Sequence, residues 1–279
     1  MSDTDWQENC LSYIGRTQQH TDGLSADSTN CLLATLNDPT KLQAGDALPP
    51  LFHWIYFNEP TLTENLKADG HEKLGNFLPP VHYPRRMWAG SEVSFKRDLR
   101  LAQPTTRVST IKSVTFKTSS SGGLCFVVVE HMYRQDKKDC IIDRHTIVYK
   151  EKTTPSKSAP AASGISEQYP QSLNCVILFR YSALTFNGHR IHYDEPYAQN
   201  VEGYPGLVAH GPLMATLLMR HAMSENPHKQ PAVFKFRGMA PVFADDPFRI
   251  QSESAAEGLQ LVLIKQGAVT AIKAEVEWL

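Results

Sequence analysis

Apolar and polar positions along this chain repeat one order of elements twice. In the second half, a strand-like run at 175–182 leads into a polar segment. Next comes a mostly apolar run at 211–222 that opens Gly211-Pro212. It reads as a buried helix, because proline at the first helical position gives up no needed donor. Asp194-Glu-Pro opens a shorter helix, with Asp194 as N-cap and Pro196 in the first turn. Strand-like runs follow at 232–239, 248–254, 259–265 and 269–278, with Pro247 bounding one and Gly258 and Gly267 marking turns. In the first half a shorter, proline-preceded apolar run at 51–57 fills the helix slot. Strand-like runs at 91–101, 106–118, 124–134 and 141–150 come after it, and the turns at 119–123 and 135–139 read as hairpin connections. A helix followed by several antiparallel strands, twice over, predicts an α+β fold in which each sheet wraps a central helix.

Between the halves, residues 150–164 are rich in Ser, Pro, Ala and Lys and show no apolar periodicity. The chain therefore divides into an N-terminal half, 1–150, a linker, 151–168, and a C-terminal half, 169–279. At 279 residues, with 41% hydrophobic and 20% charged positions, it can bury a core without disulfide or metal staples. The formal net charge of −1 gives no case for nucleic acid as a partner, and no apolar run approaches the ~20 residues that span a bilayer. Cys10, Cys31, Cys125, Cys140 and Cys175 are widely spaced with no CxxC, which reads as reduced thiols and no structural zinc. The start Met-Ser-Asp-Thr-Asp-Trp is acidic, unlike a secretory or organellar leader, so a cytoplasmic location is expected.

Candidate chemistry concentrates in one place. Asn187, His189, His192 and Asp194 fall within eight residues, ahead of the helix that begins at Gly211. Proton-handling and amide side chains beside a helix N-terminus are what acid–base chemistry on a carbonyl compound requires. His189 and His192 stand three apart, but nothing nearby completes a ligand shell, so no metal is expected.

The duplication together with these motifs resembles the MaoC-like double hot-dog hydratases and dehydratases of acyl-CoA thioesters, over about residues 43–279. That family's pattern is an Asp, four residues, then a His. Here His192 matches the His and Asn187 falls on the Asp, while His210-Gly-Pro-Leu213 matches the family's His-Gly-x-Leu helix motif. The Phe179-Arg-Tyr-Ser-Ala-Leu-Thr-Phe-Asn-Gly-His-Arg-Ile-His-Tyr193 form and Pro84-Arg-Arg-Met-Trp-Ala-Gly90 are similar to the mesaconyl-C4-CoA and itaconyl-CoA hydratase group and to some fungal hydroxyacyl-thioester dehydratases type 2. The resemblance implies a double hot-dog fold with two sheets, each wrapped round a central helix and packed side by side. It also implies a hydro-lyase that needs no cofactor beyond the coenzyme A of its substrate.

The roles then follow from the chemistry. His192 takes and returns the proton. Asn187, which cannot accept a proton, holds the water through its amide. The Gly211 N–H stabilises the enolate oxygen from the helix N-terminus, where losing one such donor costs ~3 kcal/mol. His189 or Asp194 could relay the proton or orient His192, or simply cap the short helix. A branched C5-dicarboxylyl-CoA, itaconyl-CoA or mesaconyl-C4-CoA going to citramalyl-CoA in itaconate degradation, carries a free carboxylate. Arg180, Arg190, Arg85 or Arg86 could grip it. A dehydratase of fatty-acid synthesis and a non-catalytic acyl-CoA-binding subunit remain as alternatives, the latter because of Asn187. A homo-oligomer is also open.

Overall fold

Period-two alternation builds the strands, and all of them join one sheet. The computed structural model describes residues 3–119, 122–151, 168 and 171–279. Its helices are α1 (Asp3–Leu11), α2 (Ala26–Thr35), α3 (Cys175–Leu184), α4 (Glu195–Asn200) and α5 (Gly211–Glu225). Its strands are β1 (Thr17–Asp22), β2 (Arg85–Phe95), β3 (Thr105–Ser119), β4 (Gly122–Gln135), β5 (Lys138–Lys150), β6 (Pro231–Gly238), β7 (Phe248–Ala255), β8 (Gly258–Lys265) and β9 (Val269–Trp278). They form a nine-stranded sheet in the order β1-β3-β4-β5-β2-β6-β9-β8-β7. Every strand pair is antiparallel, and β2 against β6 joins the two halves.

The C-terminal half has the expected form. In α5, Leu213, Met214, Ala215, Thr216, Leu218, Met219 and Ala222 are buried, and the helix packs on β2, β6, β7, β8 and β9. Burial on nearly all sides marks it as the helix the sheet wraps. The N-terminal half differs: only the 3-10 turn Phe52–Ile55, all four residues buried, stands where a central helix was expected. Four residues bury a small footprint, so aromatic side chains fill the rest. Trp54 meets Trp88 and Phe236 edge-on at 5.1 and 5.9 Å.

Three further readings change. Residues 175–182, expected as strand, are helical in α3. The Asn174 side chain accepts from Ile177 N (3.0 Å) and so caps the helix, and Leu178, Tyr181 and Ser182 are buried at helical spacing. Val176 and Phe179 on its other side lie exposed. Strand β2 runs Arg85–Phe95 rather than 91–101, because a register shift between Trp88 and Gly90 hides its alternation. Helices α1 and α2 and strand β1, too polar to stand out, were not foreseen. The expected linker lies, apart from Glu151 and Gln168, outside the described residues. No helix among the described residues is long and apolar enough to cross a membrane.

Candidate active site

Short-range geometry after α3 sets the histidines. Asn187 Oδ1 accepts from His189 N (3.0 Å), an Asx-turn that launches the 3-10 turn Arg190–His192. Asp194 caps α4 by accepting from Tyr197 N (3.0 Å), as its position predicted. His192 is buried, and its Nδ1 lies 2.7 Å from Val208 O. A carbonyl only accepts, so the proton sits on Nδ1 and Nε2 keeps a free lone pair. Burial lowers the His192 pKa to about 4, against the opposing pull of Val208 O and with a smaller push from His71. The ring is therefore neutral near pH 7 and available as a base.

His192 stacks on His210 with ring centroids 3.7 Å apart and planes at 18°. His210 directly precedes Gly211, so the imidazole and the start of α5 belong to one site. His210 itself is a support: it is buried, its Nε2 lies 2.9 Å from Ser182 Oγ, and desolvation holds its pKa well below the usual value. The Gly211 N–H opens α5 and has no intrahelical acceptor. A Cβ there would meet only Trp88 O, at an ordinary 3.7 Å. Packing does not demand this glycine, and close approach of a ligand to the backbone is what its bare surface permits.

The tertiary structure then adds residues no motif indicated. The N-terminal half sends a loop over the C-terminal histidines. It is closed by Lys67 N donating to His71 O (2.7 Å) and Gly70 N donating to Lys67 O (2.9 Å). Gly70 has φ +89°, and a Cβ on it would stand 1.8 Å from Gly188 O, so the two loops touch backbone to backbone. This docking brings His71 against His189 (centroids 4.0 Å), and His189 faces His192 edge-on at 5.5 Å. Asp69 accepts from His71 N (2.9 Å) and from Lys67 Nζ (2.8 Å). Burial would raise the Asp69 carboxyl, but its contacts with His71 and Lys67 outweigh that and hold it well below the usual range. His189 is pushed far down, first by desolvation and then by His71 and His192. The ligand atoms of Asp69, His71 and His189 lie within 4.8 Å of one another. With Asp69 already bound to Lys67 and the His71 amide, these three make a hydrogen-bonding cluster rather than a complete metal shell. The sequence signal, had it been used, was the turn-forming Asp69-Gly70 pair followed by a histidine.

The arginines separate cleanly. Arg190 is a clamp rather than a free binder. It grips Asp194 Oδ2 through Nε and Nη2 (2.9 and 2.7 Å), donates to Ala68 O (3.1 Å) and lies over the Tyr197 ring (4.1 Å). Arg85 is likewise engaged, donating to Glu202 O (2.9 Å). Arg180 is exposed on α3 and makes no hydrogen bond or ion pair with the cluster. Arg86 is half-buried, and its charge adds a smaller push to the burial that lowers both His71 and His189; it has no hydrogen-bond or ion-pair partner among the described residues. Asn187, expected to hold water, has its oxygen committed to the turn and only its NH2 left over.

Comparison with known proteins identifies the family and the fold. Residues 51–244 match the family described as hydroxyacyl-thioester dehydratase type 2. The chain is 41% identical to the mesaconyl-C(4)-CoA hydratase of Chloroflexus aurantiacus, covering 99% of each. It is 30% identical to the mitochondrial hydroxyacyl-thioester dehydratase type 2 of Schizosaccharomyces pombe, over 73% of this chain and 77% of that one. A MaoC-like dehydratase from Phytophthora capsici superimposes with TM-score 0.68 at 11% identity, covering 98% of both chains. A Mycobacterium tuberculosis protein with a double hotdog fold does so with TM-score 0.59 at 11% identity, over 95% of this chain and 96% of that one. These distant structures establish the double hot-dog fold, and the sequence relatives establish the reaction class: this chain is a hydro-lyase and belongs to the hydroxyacyl-thioester dehydratase type 2 family.

Proposed function

We propose that the chain hydrates a short enoyl-CoA thioester carrying a free carboxylate, with mesaconyl-C4-CoA the best-fitting substrate and citramalyl-CoA the product. Itaconyl-CoA would enter the same reaction after movement of its double bond, which would place the enzyme in itaconate breakdown. Arg86 carries this reading: a half-buried guanidinium without a hydrogen-bond or ion-pair partner among the described residues, whose charge is felt at His71 and His189. In mesaconyl-C4-CoA the free carboxylate is bonded to the carbon that water attacks, so its counter-charge belongs beside the proton-handling groups. The whole-length likeness to a mesaconyl-C(4)-CoA hydratase supports the same choice.

His192 Nε2 takes a proton from water as the water oxygen bonds to the β-carbon. The double-bond pair moves toward the thioester and makes an enolate, whose oxygen accepts from the Gly211 N–H. The imidazolium then gives its proton to the α-carbon, which restores neutral His192. A substrate carboxylate nearby favours that imidazolium and so strengthens a base that burial has weakened.

The second reading, a dehydratase of carrier-bound fatty chains, is supported by the likeness to the hydroxyacyl-thioester dehydratases type 2. The test is kcat/KM on mesaconyl-C4-CoA and on crotonyl-CoA for wild type and Arg86→Met. The expected result is a loss of ~100-fold or more on the dicarboxylic substrate only, the size of a lost charge-assisted pair. Equal losses on both substrates, or a wild type that prefers crotonyl-CoA, defeat the reading.

A further inference from the structure

Resting on that reading, we propose that Asp69 and His71 are positioning residues that fix the tautomer of His189, so that His189 holds the attacking water opposite His192. Three observations meet here. First, the water needs a second polar anchor, and Asn187 has its oxygen committed to the turn. Second, His71 is charge-oriented yet has bonding capacity left. Its Nδ1 is 3.5 Å from Asp69 Oδ2, too long for a good hydrogen bond, and is buried without any hydrogen-bond partner. Third, a ring nitrogen of His71, one of His189 and a carboxylate oxygen of Asp69 lie within 4.8 Å of one another, a spacing that one bridging water spans.

A neutral imidazole has one donor and one acceptor nitrogen, and the partner of one decides the state of the other. The fixed negative charge of Asp69 favours a proton on the side of His71 facing it, which makes the other His71 nitrogen an acceptor. An acceptor next to His189 draws that ring's N–H toward His71, directly or through one water, and leaves the remaining His189 nitrogen as a lone pair. That lone pair accepts a hydrogen bond from the attacking water, while a water lone pair points at the β-carbon and the second water proton goes to His192 Nε2. His189 makes and breaks no bond to the substrate in this scheme. The groups facing it are His71, His192, Asp69 and Arg86. Of these, Asp69 and His71 must be in place for the tautomer to be set.

The device depends on the loop contact already described. Gly70 against Gly188, Arg190 N donating to Asp69 O (2.9 Å) and Arg190 Nη1 donating to Ala68 O (3.1 Å) hold His71 where it is. A loop from one half thus completes a site whose base and amide come from the other.

The experiment uses the full chain with His71→Phe, His71→Gln, Asp69→Asn and His192→Ala. It measures kcat and KM for mesaconyl-C4-CoA and the 15N shifts of histidine-labelled protein. His71→Phe is expected to lower kcat ~10–100-fold with KM within ~3-fold, the weight that outer hydrogen-bond partners of a working histidine typically carry. His71→Gln should recover part of the loss. Both His71→Phe and Asp69→Asn should move the His189 nitrogens away from the wild-type tautomer pattern. Should His71→Phe not fold, Asp69→Asn, which can keep the Oδ1 turn acceptor while removing the charge and the Oδ2 acceptor that faces His71, decides the matter by the same two readouts. An unchanged His189 tautomer in these variants overturns the inference whatever the activity. Wild-type kcat in them overturns it while leaving His192→Ala to uphold the hydratase reading. Should wild type hydrate no enoyl-CoA, the hydratase reading falls, and the 15N shifts still decide the tautomer claim.

Discussion

The molecule holds two clusters of histidine and aspartate, and they do opposite things. In the N-terminal half, Asp143 is fully buried. Trp54 Nε1 donates to its Oδ2 (2.7 Å), as does Ser91 Oγ to its Oδ1, while His145 Nε2 (2.7 Å) and His53 Nε2 (3.2 Å) also meet Oδ2. Desolvation would raise this carboxyl, yet His145 and His53 hold it well below the usual range. His131 stacks edge-on to His145 (4.4 Å) and bonds through Nδ1 to Ser109 Oγ (2.7 Å). Strand register puts Ser109, His131, Asp143 and Val93 side by side across β3, β4, β5 and β2, so the cluster is a polar belt on one sheet face. Most of its hydrogen-bonding capacity is used internally. The junction cluster is the reverse: among the described residues, His192 Nε2, the Asn187 NH2, the Gly211 N–H and the Arg86 guanidinium have capacity left for a ligand. Satisfied networks specify a fold, whereas convergent unsatisfied ones are where a substrate fits.

Variants can break this contrast. His192→Ala should abolish ~10²–10⁴-fold of turnover, the usual weight of a general acid–base, while the melting temperature changes little relative to Asp143→Ala. Enoyl-thioester absorbance and thermal unfolding on the same samples check both halves of that statement. Asp143→Ala should instead cost ~3–5 kcal/mol of stability, because several buried donors lose their acceptor at once. At ~2–4 °C per kcal/mol this lowers the melting temperature by roughly 10 °C. If Asp143→Ala melts like wild type, the belt is not the structural element described here.

Gly70→Ala sharpens the boundary between the clusters. A methyl at φ +89°, 1.8 Å from Gly188 O, forces the loops apart. The expected cost is ~1–3 kcal/mol of stability, with a fall in kcat because His71 is displaced. A wild-type kcat in this variant would show that the loop does not serve the site.

The smallest effect is graded with pH. His192, His189, His210, His71, His53 and His131 all have folded pKa values below their unfolded value near ~6.5. The unfolded chain therefore binds more protons between those limits, and stability is intact above pH ~6.5 and declines as pH falls toward 4. Asp69 and Asp143, held low, keep their contribution through that window and lose it only at more acid pH. The melting temperature should drop by roughly 5 °C or more between pH 7 and 5. The acid limb of kcat/KM should fall nearer pH 4 than 6.5, following His192. A flat melting temperature would contradict the neutral, buried state of these rings.

Local patterns carried much of this far. The Asp194 cap, the buried α5 beginning at Gly211 and the hairpin strands β7, β8 and β9 depend on neighbours a few residues away, and all stand where they were read. Helix α3 was misread because a continuous apolar run has no period of its own, and only its cap and its buried side reveal it. Asn187 was read as holding the water because it falls on the family's Asp, and Arg190 as a carboxylate contact because it flanks the histidines; the turn engages the Asn187 oxygen and Asp194 engages Arg190.

The sequence by itself determined the α+β plan, the start of α5 at Gly211 and the placing of His192, the proposed base, just ahead of it, since motif spacing and helix-start chemistry are short-range. Only the tertiary structure decided that Asp69, His71 and Arg86 join them, that Arg190 does not, and that Asp143 gathers a closed network in the other half. Those choices rest on loop docking and strand register between residues far apart in the chain, 122 positions for Arg190 to Ala68 and 89 for Trp54 to Asp143. A linear pattern carries no information on which distant backbones will meet, and here a pair of glycines, Gly70 and Gly188, allows that meeting.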